Sequence, residues 1–433
     1  MKCSRYRLAG YLLIGMLLFS VLDRLFPTVP IILTGICGWI ALGLLLKDLG
    51  KQHLIQNFIL TMTGIVCLLW AWKRGAIPDL GQILSQNQLL LSMLVGVSFL
   101  RLITLPATEK GDVSPTGKNA FIRTLIGTHF FSAVINLSAI MIVAERLNFR
   151  EKPDRELSIL LTRSFGAAAF WSPFFAAMAT ALTYSPGASI GKLLIMGIPL
   201  AIAGLMITII SLSADQKNHL EKFEGYPIHY SSLWVPALLA IFVLFFHYYF
   251  PQISILVVIT SLSIVMSLIT LAVTTPKTAL VSIDHHISRA LPAMVNELAL
   301  FLSAGVLAVG LRNLSLSFDQ ILVIENFGVL QMASLLIVMV TLALIGVHPV
   351  ISIAIAGIWL KSMQIDPNLL GLVFIFAWGI GISVSPLSGL NMALHGCFGI
   401  RGTEIMKWNA GYTVQMLVVS TLLFWIYQSI NYF

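Results

Sequence analysis

The sequence predicts an all-α polytopic membrane protein of about eleven transmembrane helices plus two re-entrant hairpins, built as inverted repeats with broken helices. Three observations carry that expectation. The 433-residue chain is 58% hydrophobic and only 10% charged, whereas a soluble domain is roughly 25% charged, so a polar coat for a soluble globule of this size is missing. Long windows free of Asp, Glu, Lys and Arg recur along the whole chain, and about 20 apolar residues suffice to cross the hydrocarbon core. The two halves also repeat the same features in the same order. Composition alone therefore excludes a cytosolic enzyme, a secreted disulfide scaffold and a disordered protein.

The charge-free windows are 8–22, 25–46, 52–72, 80–100, 124–144, 164–191, 193–214, 225–276, 298–311, 326–360, 367–400 and 408–433. The 225–276 run is too long for one helix and divides at Tyr249-Phe250-Pro251-Gln252 into two spans. The short 298–311 run extends back through Pro292 if Glu297 lies in the membrane. The first apolar stretch follows Lys2, Arg5 and Arg7 like a signal peptide, but no small-residue cleavage site follows it, so a retained first span is expected.

Orientation follows from the 26 Lys and Arg residues, which sit in the gaps between apolar runs. If segments 120–145 and 328–360 enter the membrane and return to the same side, eighteen of these cations fall on the cytoplasmic side and six outside. Arg101 and Arg163 remain at span ends on the cytoplasmic side. A full crossing by 120–145 would force a basic gap outside, so the re-entrant arrangement is preferred. It places the N-terminus in the cytoplasm and the C-terminus outside a bacterial cytoplasmic (inner) membrane. The net charge of +8 is thus spent on topology, and no nucleic-acid partner is expected. The four cysteines have no metal spacing and read as buried small hydrophobes.

Self-comparison aligns Asn87–Val97 on Asn296–Val306 without gaps. Gly127-Thr128-His129 then matches Gly346-Val347-His348, and Gly166, six residues before Ser172-Pro173, matches Gly379, six before Ser385-Pro386. The expected organisation is N-terminal scaffold helices over 1–79, then a first inverted repeat over 80–214 with its hairpin at 120–145 and broken helix at 157–184. A linker with scaffold helices covers 215–290. The second repeat spans 291–433, with a re-entrant region at 328–360 and a broken helix at 367–400. Inverted repeats with broken helices are the mark of secondary transporters, whose site lies where the repeats meet.

The candidate substrate-binding residues are Ser172 and Pro173 in the first repeat, and Ser383, Ser385, Pro386, Ser388, Gly389 and Asn391 in the second. Each proline removes a backbone donor and disfavours helix in the residue before it. The half-helix that follows would aim its positive end and free N–H groups into the membrane, which suits an oxyanion. An ordinary proline kink explains the same residues without a ligand. Candidates for ion or proton coupling are His129, Ser132 and Asn136, with His348 and Ser352 in the other half. Histidine titrates near neutral pH, which is the reason to consider it. Glu297, about 12 Å along a helix from Arg289, joins them as an acid at membrane depth. Asp284-His285-His286 and the 215–229 segment read as solvated linkers.

The eleven crossings, the paired hairpins and the proline-broken span after each hairpin resemble the ion transporter superfamily. That group includes the divalent anion/sodium symporters, the arsenite-permease-like carriers and the membrane subunits of TRAP transporters. The resemblance covers residues 54–430, and its most specific residues are Ser172-Pro173 and Ser385-Pro386-Leu387-Ser388-Gly389-Leu390-Asn391. It implies an elevator-type motion and a homodimer. The symporters' Ser-Asn-Thr hairpin signature is absent, with His129-Phe130-Phe131-Ser132 and His348-Pro349-Val350-Ile351-Ser352 in its place.

The expected function is therefore secondary active transport of a small anionic organic solute across the lipid bilayer, coupled to H+ or Na+. No enzymatic activity, cofactor or structural metal is expected. Two alternatives stay open: a membrane-embedded enzyme of envelope polysaccharide biosynthesis, and a permease subunit that depends on a solute-binding protein.

Overall fold

A backbone in lipid has no water to bond to and must satisfy its N–H and C=O groups internally, so the apolar windows fold as helices. The computed structural model describes residues 2–26, 29–104, 114–147, 154–214, 220–227, 234–316, 327–363 and 365–431. The chain is a polytopic α-helical membrane protein. Eight of its described helices are long and apolar enough to cross a membrane by length and composition.

In chain order the helices begin with α1 (Lys2–Leu25), α2 (Ile32–Leu45), α3 (Lys51–Lys73), α4 (Leu80–Ser85), α5 (Gln88–Ser98) and α6 (Arg101–Thr104). There follow α7 (Lys118–Ile135), α8 (Leu137–Arg146), α9 (Arg155–Ala169), α10 (Ala176–Tyr184) and α11 (Ile190–Ala214). The next are α12 (Trp234–Tyr249), α13 (Ile255–Thr274), α14 (Ala279–His285) and α15 (Val295–Leu316). The last are α16 (Val329–Leu344), α17 (Pro349–Trp359), α18 (Pro367–Val384), α19 (Gly389–Phe398) and α20 (Gly402–Asn431). The long 225–276 run does divide where expected, between α12 and α13.

The chain forms two compact units, each assembled from separate stretches. The first comprises Met1–Ile103, Pro236–Val323 and Ala354–Ser362, and the second Thr104–Val235, Ile324–Ile353 and Met363–Phe433. In the first unit α3 packs along α15, with Gly64 and Gly310 at the crossing. A Cβ on Gly64 would lie 2.8 Å from the backbone of Val306 and Leu307. Lipid tails give helices no hydrophobic drive to associate, so small residues that let backbones touch supply the contact. Asn87 and its repeat mate Asn296 both stand at the start of helices in this unit.

Two segments read as solvated linkers are ordered parts of the fold. Asp284-His285-His286 lies within a helical run that continues from Ala279 to Leu316 through a π-helical turn at His286–Ala290. His286 is buried and lies 2.9 Å from Ser98 Oγ. Asp284 accepts from Arg7 at 3.0 Å and from the Tyr11 hydroxyl at 3.3 Å. The polar side chains of this stretch are thus partnered, Asp284 by a cation and a hydroxyl and His286 by a hydroxyl. In the second unit, the described part of the 215–229 segment straps the start of α7. Gly225 N donates to Pro115 O at 2.7 Å and Tyr226 N to Thr124 Oγ1 at 2.8 Å, while the Phe223 ring meets Phe121 edge-on. Backbone bonds and the buried side chains of Leu220, Phe223 and Tyr226 hold it there. Among the cysteines Cys67 is buried, but Cys37 and Cys397 are only half-buried. Most of the basic cluster at 146–155 lies outside the described residues.

Candidate functional site

The second unit contains both interrupted helices, the whole first hairpin, and the second hairpin as far as Ile353 in α17. In the first hairpin α7 turns into α8 at Asn136, which has φ 51° and ψ −134°. Asparagine tolerates a positive φ better than other side chains do, because its short polar arm bonds locally. Here Asn136 Nδ2 donates to Phe174 O at 3.4 Å. Asn136→Gly is expected to leave thermal unfolding of the solubilised protein nearly unchanged, whereas Asn136→Val should cost about 1–3 kcal/mol. Melting curves of the two variants check this.

The first break lies between α9 and α10. Ser172 Oγ donates to Ala133 O in the hairpin and accepts from Phe174 N at 3.2 Å. Ser172 and its neighbours Phe174 and Phe175 are buried. Ser172-Pro173 therefore pins the break to the hairpin tip, with its hydroxyl already committed.

His129 on α7 is fixed just as firmly. Trp171 Nε1, which can only donate, donates to His129 Nε2 at 3.1 Å, so the ring proton sits on Nδ1 and is donated to Ser164 O at 3.2 Å. A second proton on Nε2 would require Trp171 to give up its bond. Glutamine can reproduce both bonds, so His129→Gln should leave the pH profile of solute flux unchanged. Flux measured across a pH series in proteoliposomes checks this, and a flattened profile would restore His129 as a proton carrier. On the same helix Thr128 Oγ1 and Ser132 Oγ are buried and have no hydrogen-bond partner among the described residues.

The second break, between α18 and α19, is organised differently. Pro386 ends the helix, leaving carbonyls of the last turn without intrahelical donors. Side chains supply the donors. Ser388 Oγ donates to Ile382 O at 3.0 Å, and Asn391 Nδ2 donates to Ser385 O at 2.8 Å and to Ile382 O at 3.3 Å. Ser388 Oγ also caps α19 by accepting from Asn391 N at 3.2 Å. Ser383 Oγ donates to Gly379 O or Thr162 O, each at 3.3 Å. Asn391 Oδ1 is buried with no partner among the described residues. Unlike the first break, this one opens outward. Leu387 and Gly389 are exposed, and no atom lies within 4 Å of where a Cβ on Gly389 would stand.

In the second hairpin His348 Nδ1 accepts from Val350 N at 3.2 Å, and its ring meets Trp378 edge-on with centroids 5.2 Å apart. Ser352 Oγ donates to Pro349 O at 3.0 Å within the same turn. Glu297 is an exposed residue of α15 in the first unit, whereas the other candidates all belong to the second unit.

The two broken helices cross at Gly166 and Gly379. A Cβ on Gly166 would lie 2.7 Å from Gly379 O, and a Cβ on Gly379 would lie 2.7 Å from Gly166 O. These are the two glycines that the sequence repeat pairs. A residue and its equivalent in mutual contact is the geometry a local two-fold axis produces.

Sequence reasoning passed over Arg163 and Asn409. Arg163, taken as a topology signal at a span end, is buried in the middle of α9 and donates from Nε to Asn409 Oδ1 at 2.8 Å. The signal was available. Arg163 lies eight residues after Arg155, the same depth that made Glu297 a candidate.

No protein-family model matches the chain, and no curated protein matches it. Among solved structures it is similar to the Alcanivorax borkumensis YdaH transporter, whose crystal structure was described as revealing an unusual topology. The likeness has 14% sequence identity and a TM-score of 0.49, and it covers 84% of this chain and 87% of that one.

Proposed function

We propose that the protein is a secondary active transporter of a small anionic organic solute. It works as a homodimer in a bacterial cytoplasmic membrane, with its N-terminus cytoplasmic and its C-terminus external. The observation that carries this reading is the crossing of two broken helices at repeat-related glycines inside one compact unit. Interrupted helices at membrane depth are tolerated where they are buried in protein or line a wet cavity, and carriers use them as binding sites.

The second break is the solute site in this reading. Its open side at Gly389 gives access, and the first-turn N–H groups of α19 attract a carboxylate or similar oxyanion. Pro386 and Gly389 line the opening, with Ser385 buried behind them, while Ser383, Ser388 and Asn391 hold its shape. The first break, with Ser172 and Pro173 buried, is a support. The unpartnered hydroxyls of Thr128 and Ser132, near Asn136 at the hairpin tip, suit a coupling Na+. Coupling to H+ would fall to His348 or Glu297, because His129 has both nitrogens engaged. Ser352 keeps the His348 turn in place. In an elevator-type cycle the unit with both breaks is the moving body.

The test uses purified protein in proteoliposomes, with transport currents recorded for a panel of mono- and dicarboxylates, with and without Na+ and at two pH values. One class of acid is expected to evoke a saturable current that depends on one of the two cations. Silence across the panel, together with no thermal stabilisation by any acid, would remove the reading.

A further inference from the structure

Arg163 is 5% exposed, and among the described residues no carboxylate stands within ion-pair distance of it. Its partners are neutral. Besides Asn409, Nη1 donates to Ser211 Oγ at 3.2 Å and Nη2 to Trp408 O at 3.1 Å, and the guanidinium lies over the Tyr412 ring at 4.5 Å. Burying a cation without a counter-charge is costly, and helix packing alone does not require it.

The use of this charge lies one residue further on. A guanidinium can only donate, so the oxygen of the Asn409 amide must face Arg163 and the nitrogen must face away. There Nδ2 donates to Ser383 O at 2.9 Å, and also approaches Thr162 Oγ1 at 3.2 Å and Ile405 O at 3.1 Å. In an unbroken helix Ser383 O would receive the N–H of the residue four positions on, and the break at Pro386 takes that donor away. The Asn409 amide replaces it.

We infer that Arg163 is a positioning residue for the second helix break. By fixing the orientation of the Asn409 amide it holds the last turn of α18 and so sets where α19 begins and how its open N-terminal turn is presented at Gly389. The consequence for uptake rests on the carrier reading above. The geometry does not, and it can be measured without a solute.

A cysteine at Gly389 meets no neighbouring atom, so Gly389→Cys reports on the break. The background carries alanine at Cys3, Cys37, Cys67 and Cys397, and the probe is methanethiosulfonate ethylsulfonate. Asn409→Asp is the decisive variant. It gives Arg163 an ion pair but turns an oxygen towards Ser383 O. We expect its thermal stability to be kept or raised while the labelling rate at position 389 changes by about tenfold, the effect of losing one good hydrogen bond from the resting geometry. Arg163→Lys keeps the charge without the planar fork and should show a smaller change in the same direction, with Arg163→Met the largest.

Labelling of Asn409→Asp at the unaltered rate would overturn the inference. So would a labelling change that appears only together with a collapse of thermal stability, which would make Arg163 a plain tie between helices. Unaltered labelling in a protein that transports leaves the carrier reading standing and removes this one. Altered labelling in a protein that moves no solute does the reverse.

Discussion

Gly379→Leu should leave little correctly folded protein. Its first side-chain atom would already stand 2.7 Å from Gly166 O, against the backbone of the partner helix, which cannot rotate away as a side chain could. Overpacking of a tight core costs typically 1–3 kcal/mol, and the same first atom would also stand 2.4 Å from the Phe170 ring. Gly166→Leu should behave alike, because the approach is reciprocal. A control separates this crossing from ordinary crowding. Gly396→Leu, in α19 where an added Cβ meets nothing within 4 Å, should be neutral. Yield of monodisperse protein and the midpoint of thermal unfolding measure all three. Equal tolerance at positions 379 and 396 would mean that the broken helices do not meet as described.

Asn391→Asp is the second large effect. Asn391 Nδ2 supplies two carbonyls of the broken turn, at 2.8 and 3.3 Å, and a carboxylate there would face both with like charge. Leaving a buried polar group unsatisfied costs roughly 1–3 kcal/mol, and more when the group is charged. The carboxylate would also stand at the turn where the solute anion is proposed to bind. Uptake should be abolished, with thermal stability visibly reduced. Asn391→Ala leaves both carbonyls a second donor, from Ser388 Oγ and Ser388 N, and should keep the fold while lowering uptake. Uptake by proteoliposomes, read beside melting curves of the same preparations, distinguishes the two. Full uptake by Asn391→Asp would remove this break from the site.

The elements that were legible in the sequence are those written in local patterns. Charge-free windows marked the helices, Pro251 marked the turn between α12 and α13, and Pro173 and Pro386 marked the two breaks. Gly166 and Gly379 were paired by their spacing to those prolines before any contact between them was visible. The roles of individual polar residues were harder to read. Ser388 and Asn391 were selected as solute ligands because they cluster at a break, yet their side chains satisfy the carbonyls that the break exposes. His129 was selected because histidine titrates, but Trp171, 42 positions away, decides which nitrogen holds its proton.

A lipid-embedded chain announces its class and its interruptions by itself, because hydrocarbon enforces apolar length and internal backbone bonding on every segment separately. The partners of its buried polar groups are another matter. Arg163 finds Asn409 across 246 positions, and Asn409 reaches Ser383 across 26. Hydrogen-bond direction in a dry interior depends on which donors and acceptors the packed helices bring within about 3 Å, and no local pattern of residues encodes that distance.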